Sequence, residues 1–91
     1  MAHFTDQVLD VVRKIPRGKT MSYTQVARLA GNAKASRKVG EIMSKNTDRS
    51  MPCHRVIYSN GRVGEYNRLQ GEKADLLRRE GVIIQNNHII T

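Results

Sequence analysis

Ser22-Tyr23-Thr24-Gln25-Val26-Ala27-Arg28-Leu29-Ala30-Gly31-Asn32-Ala33-Lys34-Ala35-Ser36-Arg37-Lys38-Val39-Gly40-Glu41-Ile42-Met43-Ser44-Lys45 decides the fold, because it holds two short helical patterns around one glycine turn. Ser22 followed by Gln25 has the form of a capping box, in which each residue satisfies the other's backbone amide. Val26, Leu29 and Ala30 supply an apolar stripe, and Gly31-Asn32 ends the helix. Residues 35–45 read as the second helix, with Val39, Ile42 and Met43 inward and Arg37, Lys38, Glu41, Ser44 and Lys45 outward. Two short helices joined in this way predict a helix-turn-helix.

Upstream, Phe4, Val8, Val11, Val12 and Ile15 repeat at the spacing of one helical face, and Pro16 with Gly18 stops that helix. Downstream, residues 47–50 form a polar loop. Val56-Ile57-Tyr58 and Arg62-Val63-Gly64-Glu65-Tyr66 then flank Ser59-Asn60-Gly61, and Asn-Gly between β-rich runs is a strong hairpin signal. Residues 71–80 predict a last helix, with Ala74, Leu76 and Leu77 apolar and Gly81 as its C-cap, followed by Val82-Ile83-Ile84 and a polar tail. The expected fold is α/β and mostly helical, a winged-helix-like helix-turn-helix with a β-hairpin wing, in a single domain over residues 1–91.

Sixteen Lys and Arg against eight Asp and Glu give a net charge of +8 on 91 residues, a field that attracts polyanions. Nucleic acid is the partner that charge favours, although a merely soluble basic protein has the same composition. The single cysteine rules out an intramolecular disulfide, and the Cys and His content does not supply the pairs of a structural zinc site. No apolar run approaches the length of a membrane span and no secretory signal opens the chain, so a monomer in the cytoplasm, nucleoid-associated, or in the nucleus is expected.

The chemistry lies in Met51-Pro52-Cys53-His54-Arg55-Val56, where the only cysteine abuts a histidine. Pro52 fixes its own backbone and restricts Met51 to extended geometry, so the thiol is presented by a stiff segment. A thiol of ordinary pKa, about 8.5, is mostly protonated at neutral pH, and an adjacent imidazole can shift that balance toward the nucleophilic thiolate. The bland alternative is a buried apolar thiol beside a core histidine.

The ordered series Ser22-Tyr23-Thr24-Gln25, Ala30-Gly31-Asn32, Ser36-Arg37-Lys38-Val39-Gly40, Asn46, Pro52-Cys53-His54-Arg55-Val56, Asn60-Gly61-Arg62-Val63-Gly64-Glu65-Tyr66 and Leu76-Leu77-Arg78-Arg79-Glu80-Gly81 resembles the C-terminal domain of the O6-alkylguanine-DNA alkyltransferases. The resemblance runs over nearly the whole chain. It implies a single-turnover repair protein for double-stranded DNA, in which a cysteine takes the alkyl group from O6 of a flipped-out guanine, with no metal and no organic cofactor. Cys53 is then the acceptor, His54 its base through a bridging water, and Glu80 the carboxylate that orients His54. Asn46 braces the cysteine loop. Tyr23 turns the target phosphate and donates toward guanine N3.

The resemblance also implies that Arg37 fills the vacated stack, offsetting part of the few kcal/mol that extrusion costs. Met43, Val56, Tyr66 and Asn67 would line the base pocket, with Tyr66 closing over it; core packing is an equal reading for Met43. Ala35, Ser36 and Gly40 leave a helix with little bulk for close approach to DNA, as in minor-groove binding. The polar, shortened stretch before Pro52 is similar to the family's alkyltransferase-like branch, whose members bind alkylated DNA without repairing it and have Trp or Ala where this chain has Cys53. A non-catalytic damage sensor that recruits further repair proteins is therefore the first alternative. A simple winged-helix regulator is the second, and it leaves the Pro-Cys-His-Arg run unexplained.

Overall fold

The computed structural model describes residues 3–45, 51–63, 67–68 and 71–90. Helix α1 (Phe4–Arg13) buries Val8 and Val12, and Ile15 just beyond it, while Phe4, Leu9 and Val11 pack at the edge of the same cluster. Helix α2 (Tyr23–Leu29) starts where the sequence requires: the Gln25 amide donates to Ser22 Oγ at 3.0 Å and the Ser22 amide donates to Gln25 Oε1 at 2.9 Å. It ends in a Schellman motif, with Asn32 N donating to Ala27 O and Gly31 N to Arg28 O around a Gly31 φ of +105°, a conformation costly for any residue with a Cβ.

Helix α3 (Ser36–Lys45) buries Val39, Ile42 and Met43 against α1 and α2, which completes the helix-turn-helix and one core cluster. Each fully buried Val there adds roughly 1.5–3 kcal/mol. Helix α4 (Lys73–Arg79) is shorter than residues 71–80, because Gly71 and Glu72 form strand β4 and pair antiparallel with β3 (Asn67–Arg68). It also closes in a Schellman motif, on Gly81 at φ +93°. Leu77 joins Ile57, Val63 and Ile84 in a second cluster.

The strand pairing departs from the expected wing. The Asn60-Gly61 turn forms, with Gly61 N donating to Tyr58 O and Tyr58 N to Arg62 O. Among the described residues its two arms also find other partners. Strand β2 (Val56–Ile57) pairs in parallel with β1 (Met21–Ser22), which brings the segment after the cysteine onto the start of α2. Arg62 bridges to His88, and Val63 N donates to Asn87 O. The chain end expected as a polar tail supplies that partner as a hairpin, β5 (Ile84–Gln85) and β6 (His88–Ile89). Its turn residues Asn86 and Asn87 take φ of 52° and 62°, the left-handed pair that a tight two-residue hairpin demands and that Asn tolerates best after Gly. Gly64, Glu65 and Tyr66 of the expected wing lie outside the described residues.

Candidate active site

Cys53 opens a 3₁₀ turn, Cys53–Arg55, seated between Pro52 and strand β2. Its amide donates to Met51 O and the Arg55 amide donates to Pro52 O, so the turn is locked by its own backbone. The side chain is 3% exposed, within the cluster that contains Val39, Met43, Met51 and Val56.

From this turn His54 and Arg55 both reach Glu80 at the end of α4. His54 Nε2 lies 3.0 Å from Glu80 Oε2. Arg55 Nε donates to both carboxylate oxygens, at 2.9 and 3.2 Å, and Arg55 Nη1 donates to Ile15 O at 2.8 Å. The Gly18 amide donates to Glu80 Oε1 at 3.4 Å, and Arg17 Nη2 to Arg79 O at 3.2 Å. The loop after α1 is thereby tied to the end of α4. Gly18 sits at φ +84°, and a Cβ there would stand 3.1 Å from the Glu80 carbonyl, so this approach needs glycine.

Burial alone would raise the Glu80 carboxyl, but the hydrogen bonds from Arg55, His54 and the Gly18 amide, with the charge of His54, hold it down at about 2. An ionised carboxylate only accepts hydrogen bonds. His54 therefore carries a proton on Nε2, and in its neutral form keeps Nδ1 as the lone pair.

Tyr23 opens α2. Burial first, then the charges of Tyr58 and Cys53, raise its phenol to about 12, so it remains a hydrogen-bond donor across the physiological range. Lys73 Nζ stands 3.2 Å from Tyr23 Oη and 5.3 Å from the ring centre. Lys73 is 2% exposed, and burial lowers its ammonium to about 8, with Cys53 acting in the opposite sense.

Tyr23 also lines a cleft of about 490 Å³, together with Thr24, Ser36, Arg37, Gly40, Tyr58 and Ser59. Arg37, Ser36 and Gly40 thus share one wall of it, as the sequence grouped them. Ala35 precedes α3 and is not among the lining residues. Met43 and Val56 pack in the buried cluster of Cys53. Asn46 and Tyr66 lie outside the described residues, and Asn67 is described only as backbone in β3.

Sequence reasoning assigned no role to Arg55 or Lys73. For Lys73 the signal was present: Lys73, Leu77 and Glu80 fall at i, i+4 and i+7, one helical face, of which Leu77 is fully buried. Among the described residues no group of His, Cys, Asp and Glu is arranged to hold a metal ion, and no helix is long and apolar enough to cross a membrane.

A helix-turn-helix that feeds a parallel strand pair and a cysteine, histidine and glutamate chamber defines a DNA-binding class of domain with a thiol at its centre. More narrowly, residues 3–82 match the family described as 6-O-methylguanine DNA methyltransferase, DNA binding domain, and the chain belongs to that family. Methylated-DNA--protein-cysteine methyltransferase of Cricetulus griseus is 48% identical over 82 residues, and that of Homo sapiens 46% over 80. These matches take in 87% and 86% of this chain but only 39% of each relative. Among solved structures, S. pombe Atl1 in complex with damaged DNA containing O6-carboxymethylguanine superposes with a TM-score of 0.80 at 36% identity, covering 93% of this chain and 83% of Atl1. Mycobacterium tuberculosis OGT in complex with DNA gives 0.77 at 33% identity, covering 89% of this chain and 50% of that one.

Proposed function

We propose that this domain binds duplex DNA carrying O6-alkylguanine, swings the altered nucleotide out of the helix and takes its alkyl group onto Sγ of Cys53, once per molecule. The observation that carries this reading is the 3.0 Å contact between His54 and Glu80, directly beside the only thiol of the chain. With Nε2 committed to Glu80, Nδ1 of His54 accepts the thiol proton through a water. The thiolate attacks the alkyl carbon in line, the carbon–O6 bond breaks, and its electron pair stays on the guanine. Tyr23 donates toward N3 of that leaving base, and the ammonium of Lys73 behind the phenol favours the negative charge that develops there. A thioether has no easy leaving route at neutral pH, so the acceptor is consumed.

Arg37, exposed on the cleft wall, would fill the stack that the flipped nucleotide leaves. The net charge of +8 favours binding through phosphates, and small residues on α3 permit a close approach. Such a protein works wherever the chromosome lies, in a nucleoid or a nucleus. The test is an intact-mass measurement after mixing with duplex DNA containing O6-methylguanine. A gain of one methyl group, mapped to Cys53, is the expected result; an unmodified protein that demonstrably binds the duplex would defeat it.

A second reading is favoured by one observation: the stretch Thr47-Asp48-Arg49-Ser50-Met51 before Pro52 is short and polar, as in the alkyltransferase-like branch. On that reading the domain engages the lesion without transfer and marks it for other repair proteins. The same mass measurement separates the two.

A further inference from the structure

Tyr58 is a large aromatic side chain left 47% exposed on a turn that is otherwise thoroughly fixed. The turn is held by Tyr58 N to Arg62 O and Gly61 N to Tyr58 O, and by the Arg62 amide donating to Asn60 Oδ1 at 3.0 Å. Ile89 N donates to Gly61 O, which anchors it to the terminal hairpin. The Tyr58 ring stands 5.2 Å from the Tyr23 ring at a tilt of 55°, and the Arg62 guanidinium lies 5.8 Å from its centre. With Lys73 behind Tyr23, the four side chains make a column, Arg62, Tyr58, Tyr23, Lys73, that runs from the surface to the buried ammonium.

An exposed ring so braced is pre-organised for an external partner. Tyr58 and Ser59 line the same cleft as Ser36, Arg37 and Gly40. Phenol, serine hydroxyl and guanidinium groups are the side chains that hold phosphates and sugars of a nucleic-acid backbone without reading sequence. Resting on the DNA-binding reading above, we propose that Tyr58 and Arg62 form a second grip on the DNA backbone, in addition to Arg37. The strand is thereby clamped between α3 and the 58–62 turn, and the phosphate next to the extruded nucleotide is brought against Tyr23. The charge of the chain, with Arg37 lining the cleft and Arg62 against the Tyr58 ring, fits a polyanion and not an acidic patch of limited size.

The test is the affinity of the full chain for two duplexes, one with O6-methylguanine and one unmodified, at several salt concentrations. Arg62→Gln, Tyr58→Leu and Tyr58→Phe are compared with Lys14→Gln, a charge-matched change in a different cleft. Arg62→Gln should weaken both duplexes roughly tenfold and lower the slope of log affinity against log salt by about one. Tyr58→Leu, which keeps apolar bulk against Tyr23, should weaken binding to a similar degree, and Tyr58→Phe by less. Unfolding temperatures unchanged across the set would exclude a folding artefact, since both side chains are exposed. Arg62 and Tyr58 variants that bind like Lys14→Gln would overturn the clamp and leave the alkyl-transfer reading intact. A wild-type chain with no affinity for either duplex at low salt would overturn both.

Discussion

His54 Nε2 and Glu80 Oε2 meet at 3.0 Å although they stand 26 positions apart, and Arg55 grips the same carboxylate from the neighbouring position. The pair fixes which imidazole nitrogen carries a proton, and the arginine fixes where the carboxylate sits. Because Arg55 also donates to Ile15 O, the relay is tied to the segment after α1 as well as to the end of α4.

The first expected outcome concerns acid. Glu80 has its carboxyl held at about 2, below the ordinary 4.5, so its contribution to stability is complete above pH 4.5 and is lost as pH falls from there toward 2. Glu80→Gln should lose about 2 kcal/mol at neutral pH, by denaturant unfolding, and show a flatter stability profile in that acid window. Methyl transfer should slow by at least about tenfold as well, because the imidazole loses its orientation. A variant with wild-type acid sensitivity would show that the hydrogen bonds to Glu80 from Arg55, His54 and Gly18 do not persist in solution.

Lys73 gives a test with the opposite sign. Its ammonium is lowered from 10.5 to about 8 by burial, so the charged form is less favoured in the fold, and stability should rise as pH climbs from about 8 to 10.5. Lys73→Met should abolish that rise. Transfer should fall by at least about tenfold, with little loss of DNA affinity, because the ammonium faces Tyr23 and not the cleft wall. Retained transfer in a folded Lys73→Met protein would remove Lys73 from the mechanism.

Much of this architecture was legible because it rests on local rules. The Ser22 and Gln25 capping box, the left-handed Gly31 and Gly81 stops, and the inward set Val39, Ile42 and Met43 are each set by a few neighbouring residues. The pairing of β2 with β1 was not, because Val56-Ile57 is equally suited to the arm of a hairpin, and only the tertiary position of α2 decides between them. The terminal hairpin hid in a polar stretch, since Asn86-Asn87 signals a turn only once β-forming residues are recognised on both sides. At the site, Cys53, His54 and Glu80 were assigned from family resemblance. By residue type Arg55 and Lys73 read as solvated cations, and their burial depends on where Glu80 and Tyr23 arrive in space.

Arg37 and Tyr23 line one cleft but should fail differently. Arg37→Ala removes the side chain that props the vacated stack, so lesion engagement and transfer in duplex DNA should both drop, while a small soluble alkylating agent still modifies Cys53 at its usual rate. Tyr23→Phe keeps the ring against Tyr58 and loses only the donor, so affinity should hold and single-turnover transfer should slow by about tenfold or more. Stopped-time transfer assays on duplex and on single-stranded substrate would check both, and equal losses on the two substrates for Arg37→Ala would place it outside the flipping step.

The last expected outcome separates binding from chemistry at Cys53 itself. The side chain is small and packs with Val39, Met43 and Val56, while the exposed cleft is lined by other residues, so Cys53→Ala leaves the DNA-facing surface as it is. Truncating the buried thiol should cost about 1–2 kcal/mol of stability, a modest loss for a cavity of that size. Transfer should vanish altogether, and affinity for an O6-methylguanine duplex should be retained or should last longer, because the lesion is no longer consumed. The measurement is a pair of experiments on one protein: intact mass for transfer, and the lifetime of the complex on modified against unmodified duplex. If Cys53→Ala lost its preference for the modified duplex along with transfer, lesion recognition would reside in the thiol, and neither the acceptor nor the sensor reading could keep its present division of labour between cleft and chamber.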